Sequence, residues 1–237
     1  LPLLDEICFS MHGPNAAVHD DAVGGRGGFQ RLERAIAAVE ASPHRPYVLV
    51  NCVVTSSNVS HLAQTLRFAA QFTKVRHFLV SNMAPEGGGE RRYRDLAVPL
   101  SAIGRQAPAL IRLARAAGIE LRFFCVPACV LGPTRARYCN DFYWSPRATV
   151  ERFKGAHGRV GVAEITGWAP TRGRVQTPKC ASCIHRSVCP GVLERYYREF
   201  GDDELRSIRR GRLPKGLKRE SPLRPETLTA FWPAPSR

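Results

Sequence analysis

The sequence predicts an α/β protein, a parallel sheet with covering helices followed by a small, irregular, cysteine-rich module. Three observations carry this expectation. Short β-branched runs alternate with segments of helical periodicity through the first half of the chain, the alternation gives way to turn-rich sequence after Val126, and Cys180, Cys183 and Cys189 stand together as C-x2-C-x5-C.

Leu4 to Ser10 reads as a short strand that ends at the polar turn His12-Gly-Pro14, and Phe29 to Ala41 carries apolar residues at helical spacing. Tyr47 to Val54 is a β-branched run of the kind buried on both faces of a parallel sheet. Asn58 is placed to cap a helix from Val59 to Phe72. Val75 to Val80 gives a third strand, Met83 to Val98 a long Gly/Pro-rich loop, and Ser101 to Ala117 a third helix stopped by Gly118. Ile119 to Val126 reads as one more strand, and Val192 to Phe200 as a short helix. Repeated βα units imply function at the carboxyl ends of the strands, where Ser10, Asn51 and Met83 are expected. The resulting division is residues 1–126 for the sheet and its helices, 127–205 for the cysteine module, and 206–237 for a basic, Pro-rich flexible tail.

The cysteine trio carries the chemistry. Two cysteines two residues apart can turn their sulfurs to one centre while inward amide N–H groups stabilise the thiolates. Zinc and iron–sulfur clusters are the natural occupants. Structural zinc usually takes a second close pair of ligands, whereas here the next gap is five residues and the candidate fourth sulfur, Cys129, lies far upstream. This spacing leans toward a 4Fe-4S cluster on Cys129, Cys180, Cys183 and Cys189, with Cys125 and Cys139 as substitutes for Cys129. Cys8 and Cys52 lie in apolar runs and are expected as buried small hydrophobes.

At 237 residues with 44% hydrophobic content, the chain can bury a sizeable core. No apolar stretch approaches the ~20 residues needed to cross a bilayer, so no membrane is expected and the cytoplasm is the default compartment. Eight cysteines at this length, clustered beside His185 and Arg186, fit metal ligation better than a disulfide scaffold. Lys and Arg outnumber Asp and Glu by 35 to 20, a formal charge of +15. That excess permits nucleic acid as a partner, but the arginines lack the interleaved aromatics of a stacking platform, and a solvated basic surface is the preferred reading.

Taken in order, Asp5 to Gly13, Val50 to Asn58, Phe78 to Gly87 and the cysteine cluster resemble radical S-adenosylmethionine (SAM) enzymes that carry a C-terminal SPASM- or twitch-like extension. The likeness covers roughly residues 3 to 205. It implies the second half of a partial (β/α)6 radical SAM barrel, with an auxiliary 4Fe-4S cluster in the extension. By the same resemblance, Ser10, Asn51 and Met83 would contact S-adenosyl-L-methionine, and Cys129 would be the fourth cluster ligand. The family's C-x3-C-x2-C motif occurs nowhere, since Cys125 and Cys129 have its first spacing but Gly stands at 132. The first three βα units and a second 4Fe-4S cluster are therefore expected in a missing N-terminal half, leaving this chain truncated, inactive alone and with an open sheet edge.

The implied function is radical modification of a peptide or small metabolite, supplied by a reducing electron donor. Two alternatives remain: a zinc-stabilised basic module that binds nucleic acid, and a radical SAM enzyme acting on tRNA.

Overall fold

The computed structural model describes residues 6–142, 147–154, 160–168 and 173–211. Four strands, β1 (Glu6–Ser10), β2 (Tyr47–Val54), β3 (Val75–Asn82) and β4 (Glu120–Phe124), pair in sequence order and all in parallel. Each crossover contains helix, as a parallel connection requires: α1 (Ala16–Val23) and α2 (Gly28–Ala41), then α3 (Leu62–Ala69), then the single turns α4 (Gly88–Arg91) and α5 (Tyr93–Leu96) with the long α6 (Leu100–Ala116). The arrangement is α/β and compatible with a partial α/β barrel.

Period-two alternation divides the sheet into unlike faces. Val48, Val50, Cys52 and Val54 of β2, Phe78 and Val80 of β3, and Leu121 and Phe123 of β4 are buried in a core shared with Ile36 of α2, Leu62 and Leu66 of α3, and Ile103 and Leu110 of α6. The opposite face carries exposed Glu6, Cys8, Ser10 and Tyr47, with Asn51, Val53, His77 and Arg122 half-buried. Cys8 therefore departs from expectation. It alternates with Ile7 and Phe9, which pack on the core, and so joins Glu6 and Ser10 on the outer face, whereas Cys52 is fully buried as expected.

Local signals set several boundaries differently. Asn15 caps the unforeseen helix α1 through Val18 N–H at 3.1 Å, and Asp20 takes the N–H groups of Gly27 and Phe29 at the start of α2. Asn58 caps no helix. Its Oδ1 accepts from Thr55 N–H at 2.8 Å and its amide donates to the carbonyls of His12 and Val53 at 3.0 and 2.9 Å, so it binds the loops after β1 and β2 together. The chain then passes through a 3-10 turn, Val59–His61, before α3 begins.

Beyond β4 lie the turn α7 (Ala128–Leu131) and 3-10 segments at Pro133–Tyr138 and Asn140–Phe142. An antiparallel hairpin, β5 (Arg147–Lys154) and β6 (Val160–Trp168), stands where the sequence suggested only irregular chain. A two-residue ladder then joins β7 (Arg174–Val175) to β8 (Val192–Leu193), which leads into α8 (Glu194–Phe200). One core runs from Met11 to Ile208. The expected flexible tail therefore starts too early, because Leu205 and Ile208 are buried and Ile184 N–H bonds to Ile208 C=O at 2.9 Å. Residues 212–237 of that tail lie outside the described residues.

Candidate metal centre

Cys129, Cys180, Cys183 and Cys189 line one cavity. Cys129 arrives on α7, which begins directly after Pro127 and packs against α6. A Cβ on Gly104 of α6 would stand 2.8 Å from Val130 C=O, so glycine is what lets the helix seat against this turn. Cys180 closes the 3-10 turn Pro178–Cys180, and two further turns follow, with Arg186 N–H bonded to Cys183 C=O at 3.1 Å and Cys189 N–H to His185 C=O at 2.8 Å. The trio thus sits on successive tight turns, the local fold that C-x2-C-x5-C spacing favours.

Leu205 to Ile208 forms another wall. Lys179 ties that segment down through Asp202 C=O at 2.7 Å and the Asp202 carboxylate at 3.2 Å, and the Ser207 hydroxyl donates to Lys179 C=O. Backbone N–H groups also point at sulfur, Arg206 N–H toward Cys129 and Gly191 N–H toward Cys189. Burial nonetheless pushes the Cys129 thiol up and the Cys189 thiol to about 12, with neighbouring cysteine sulfurs adding to the shift. Without a cation these thiols hold their protons at neutral pH, and a cationic occupant would convert them to ligands. His185 is another member of the lining. It is 2% exposed, its ring stacks on Phe142 at 5.2 Å, and its Nδ1 is buried without a partner among the described residues.

Among the described residues, no three His, Cys, Asp or Glu side chains converge tightly enough to hold a single metal ion. Tetrahedral zinc at a Zn–S distance of ~2.3 Å sets its sulfurs about 3.8 Å apart. A cubane binds each cysteine through a separate iron and so keeps the ligand sulfurs farther from one another. The two kinds of site thus ask for different sulfur spacings around the cavity that the four cysteines line.

Neither substitute for Cys129 is in the lining. The Cys139 thiol is fully buried and donates to Val126 C=O at 3.4 Å. Cys125, in a left-handed backbone conformation with φ 58°, lies 2.7 Å from Arg174 Nη2, and its N–H is taken by Asp141 Oδ1 at 3.1 Å. Arg174 in turn donates to Asp141 Oδ2 and to Gly191 C=O, each at 3.2 Å, binding the end of β4 to the turn after Cys189. Sequence reasoning missed Arg174, Asp141 and Gly191, since none stands in a motif and each matters through a partner distant in the chain.

Ser10 and Asn51 are register partners on the open sheet face. Asn51 lies within β2 and not at its carboxyl end, because β2 runs on to Val54 past the last residue of β1. Its Oδ1 accepts from Ser81 Oγ at 2.7 Å, leaving its NH2 group without a partner among the described residues. Met83 directly follows β3 and is 5% exposed in a small cluster with Tyr93 and Ala97. Ser10 and Asn51 are thus brought together, while the Met83 side chain packs into a cluster of its own. No described helix is long and apolar enough to cross a membrane.

No family model, curated protein or solved structure matches the chain.

Proposed function

We propose that the chain binds a 4Fe-4S cluster through Cys129, Cys180, Cys183 and Cys189, and that it is the cluster-bearing C-terminal portion of a radical SAM enzyme that modifies a peptide or small metabolite. The observation that carries the cluster is the single cavity shared by these four sulfurs, each brought by a different turn. The enzymatic reading is supported by the motif order of the sequence together with a parallel sheet whose polar face presents Ser10 and Asn51.

When bound, such a cluster supplies one-electron chemistry or structural cross-linking. The protein's own part is plainer. The four thiols lose their protons to become ligands, the Arg206 and Gly191 N–H groups offset thiolate charge, and the Leu205 to Ile208 segment keeps water out. On the open face, the Asn51 NH2 group and the Ser10 hydroxyl would orient the polar end of SAM.

Anaerobic reconstitution with iron and sulfide tests the proposal. About four irons and four sulfides per chain are expected, with loss of both in Cys180→Ala and Cys129→Ala and retention in Cys125→Ser. This chain, lacking C-x3-C-x2-C, should cleave no SAM by itself. Stoichiometric zinc without sulfide would overturn the cluster, and SAM cleavage by the isolated chain would overturn the division of labour.

A further inference from the structure

A second concavity, of about 410 Å³, lies along the flank of α6, where Ile111 lines it and also belongs to the core. Its rim is built by Arg112 and Arg115 of α6 and by Arg135 and Arg137 of the 133–138 turn, around Tyr138, and among the described residues no carboxylate lines it. Among the described residues none of these four arginines forms an ion pair. Arg135 donates to Leu131 C=O at 2.9 Å and Arg137 to Tyr138 Oη at 2.8 Å, neither of which neutralises charge. The nearby acid, Glu120, is already engaged with Arg122 at 2.6 Å. The guanidinium carbons of Arg137 and Arg115 stand 4.9 and 5.9 Å from the Tyr138 ring centre, so one aromatic ring holds two like charges in one place.

We propose that this cleft binds the phosphodiester backbone of a nucleic acid, independently of sequence. Four guanidiniums gathered without a counter-charge among the described residues repel one another, and an anion of repeating charge relieves them all. Guanidinium forks match phosphate oxygens in pairs. Because Tyr138 is already occupied by arginine, it offers no free stacking platform, which directs recognition to the backbone and away from the bases. The chain's +15 charge steers a polyanion toward the cleft more strongly than a single phosphate. This site is separate from the cysteine cavity, shares no lining residue with it, and does not depend on the cluster assignment.

The test is fluorescence anisotropy of the full chain with a labelled single-stranded RNA oligomer across a salt series. Arg112→Gln/Arg115→Gln removes two exposed cleft charges, and Arg91→Gln/Arg94→Gln removes two exposed charges outside the cleft. The cleft variant should weaken binding by about tenfold or more and flatten the log Kd against log salt slope by about 1.4, at ~0.7 per lost phosphate contact. The control variant should do neither, and circular dichroism should show both folded. Equal weakening by the two variants, or no binding by the unmodified chain at low salt, overturns the proposal. Tripolyphosphate or polyglutamate binding as tightly as RNA, with the same sensitivity to the cleft variant, would assign the cleft to small or peptidic anions instead.

Discussion

The Arg174 guanidinium lies 3.2 Å from the Asp141 carboxylate, and the two side chains are only 3% and 1% exposed. Arg174 also reaches Cys125 Sγ and Gly191 C=O. The pair thus forms a buried polar joint between the end of the parallel sheet and the turn that carries Cys189. Removing one partner from such a pair leaves an uncompensated buried charge, which costs about 3–5 kcal/mol. Arg174→Met should lower stability by that amount in urea unfolding, and Arg174→Met/Asp141→Leu should recover most of the loss. If the double variant proves no better than the single one, the joint acts through Cys125 and Gly191 more than through the ion pair.

Gly191 combines a φ of 88° with close packing, since a Cβ there would meet Val175 C=O at 1.9 Å. Gly191→Ala must therefore separate β7 from β8 and shift Cys189. Destabilisation of about 4 kcal/mol or more is expected, with a fall in reconstituted iron. Gly118 has a similar φ of 66° but nothing within 4 Å, so Gly118→Ala should cost only about 1 kcal/mol and leave iron unchanged. Thermal melts and iron assays of the two variants make the comparison.

His12 Nδ1 accepts the Val53 N–H at 3.2 Å and His19 Nδ1 accepts the His12 N–H at 3.1 Å, so both rings must keep that nitrogen bare. Burial, with the nearby His19, holds His12 down to about 4, and burial also lowers His19 against the opposing pull of Asp20. A histidine whose folded pKa is depressed leaves the unfolded chain binding more protons as acid is added. Its stabilisation is complete above the unfolded value near 6.5 and is lost as pH falls toward about 4, roughly 3 kcal/mol at most for His12. His12→Gln should flatten the fall of the urea midpoint over that window. A midpoint equally steep in the variant would place the acid sensitivity elsewhere.

Cysteine reactivity should fall into three groups. In the metal-free chain, exposed Cys8 should alkylate first, while Cys52, raised to about 12 by burial, should resist together with buried Cys125 and Cys139. The four half-buried cavity cysteines should react at intermediate rates and become protected together once iron and sulfide are added. Peptide mapping by mass spectrometry reads this out. Protection of Cys125 in place of Cys129 would move the fourth ligand.

Much of this was legible in the sequence because it is local. Alternation of β-branched runs with helical periodicity determined the strands and their parallel order, since a βα connection returns the chain in the same direction. The C-x2-C-x5-C spacing determined that three sulfurs share one series of tight turns. Period two in β1 also held the clue to Cys8, whose neighbours Ile7 and Phe9 claim the buried face. What the tertiary structure alone decided depends on contacts between residues far apart in the chain. It placed Cys129 in the cavity and kept Cys125 and Cys139 out, redirected Asn58 from a helix cap to a bridge between two loops, and gathered Arg112, Arg115, Arg135 and Arg137 along one cleft. Composition counts charges and thiols, but burial and distance decide which of them meet, and those are properties of the packed chain.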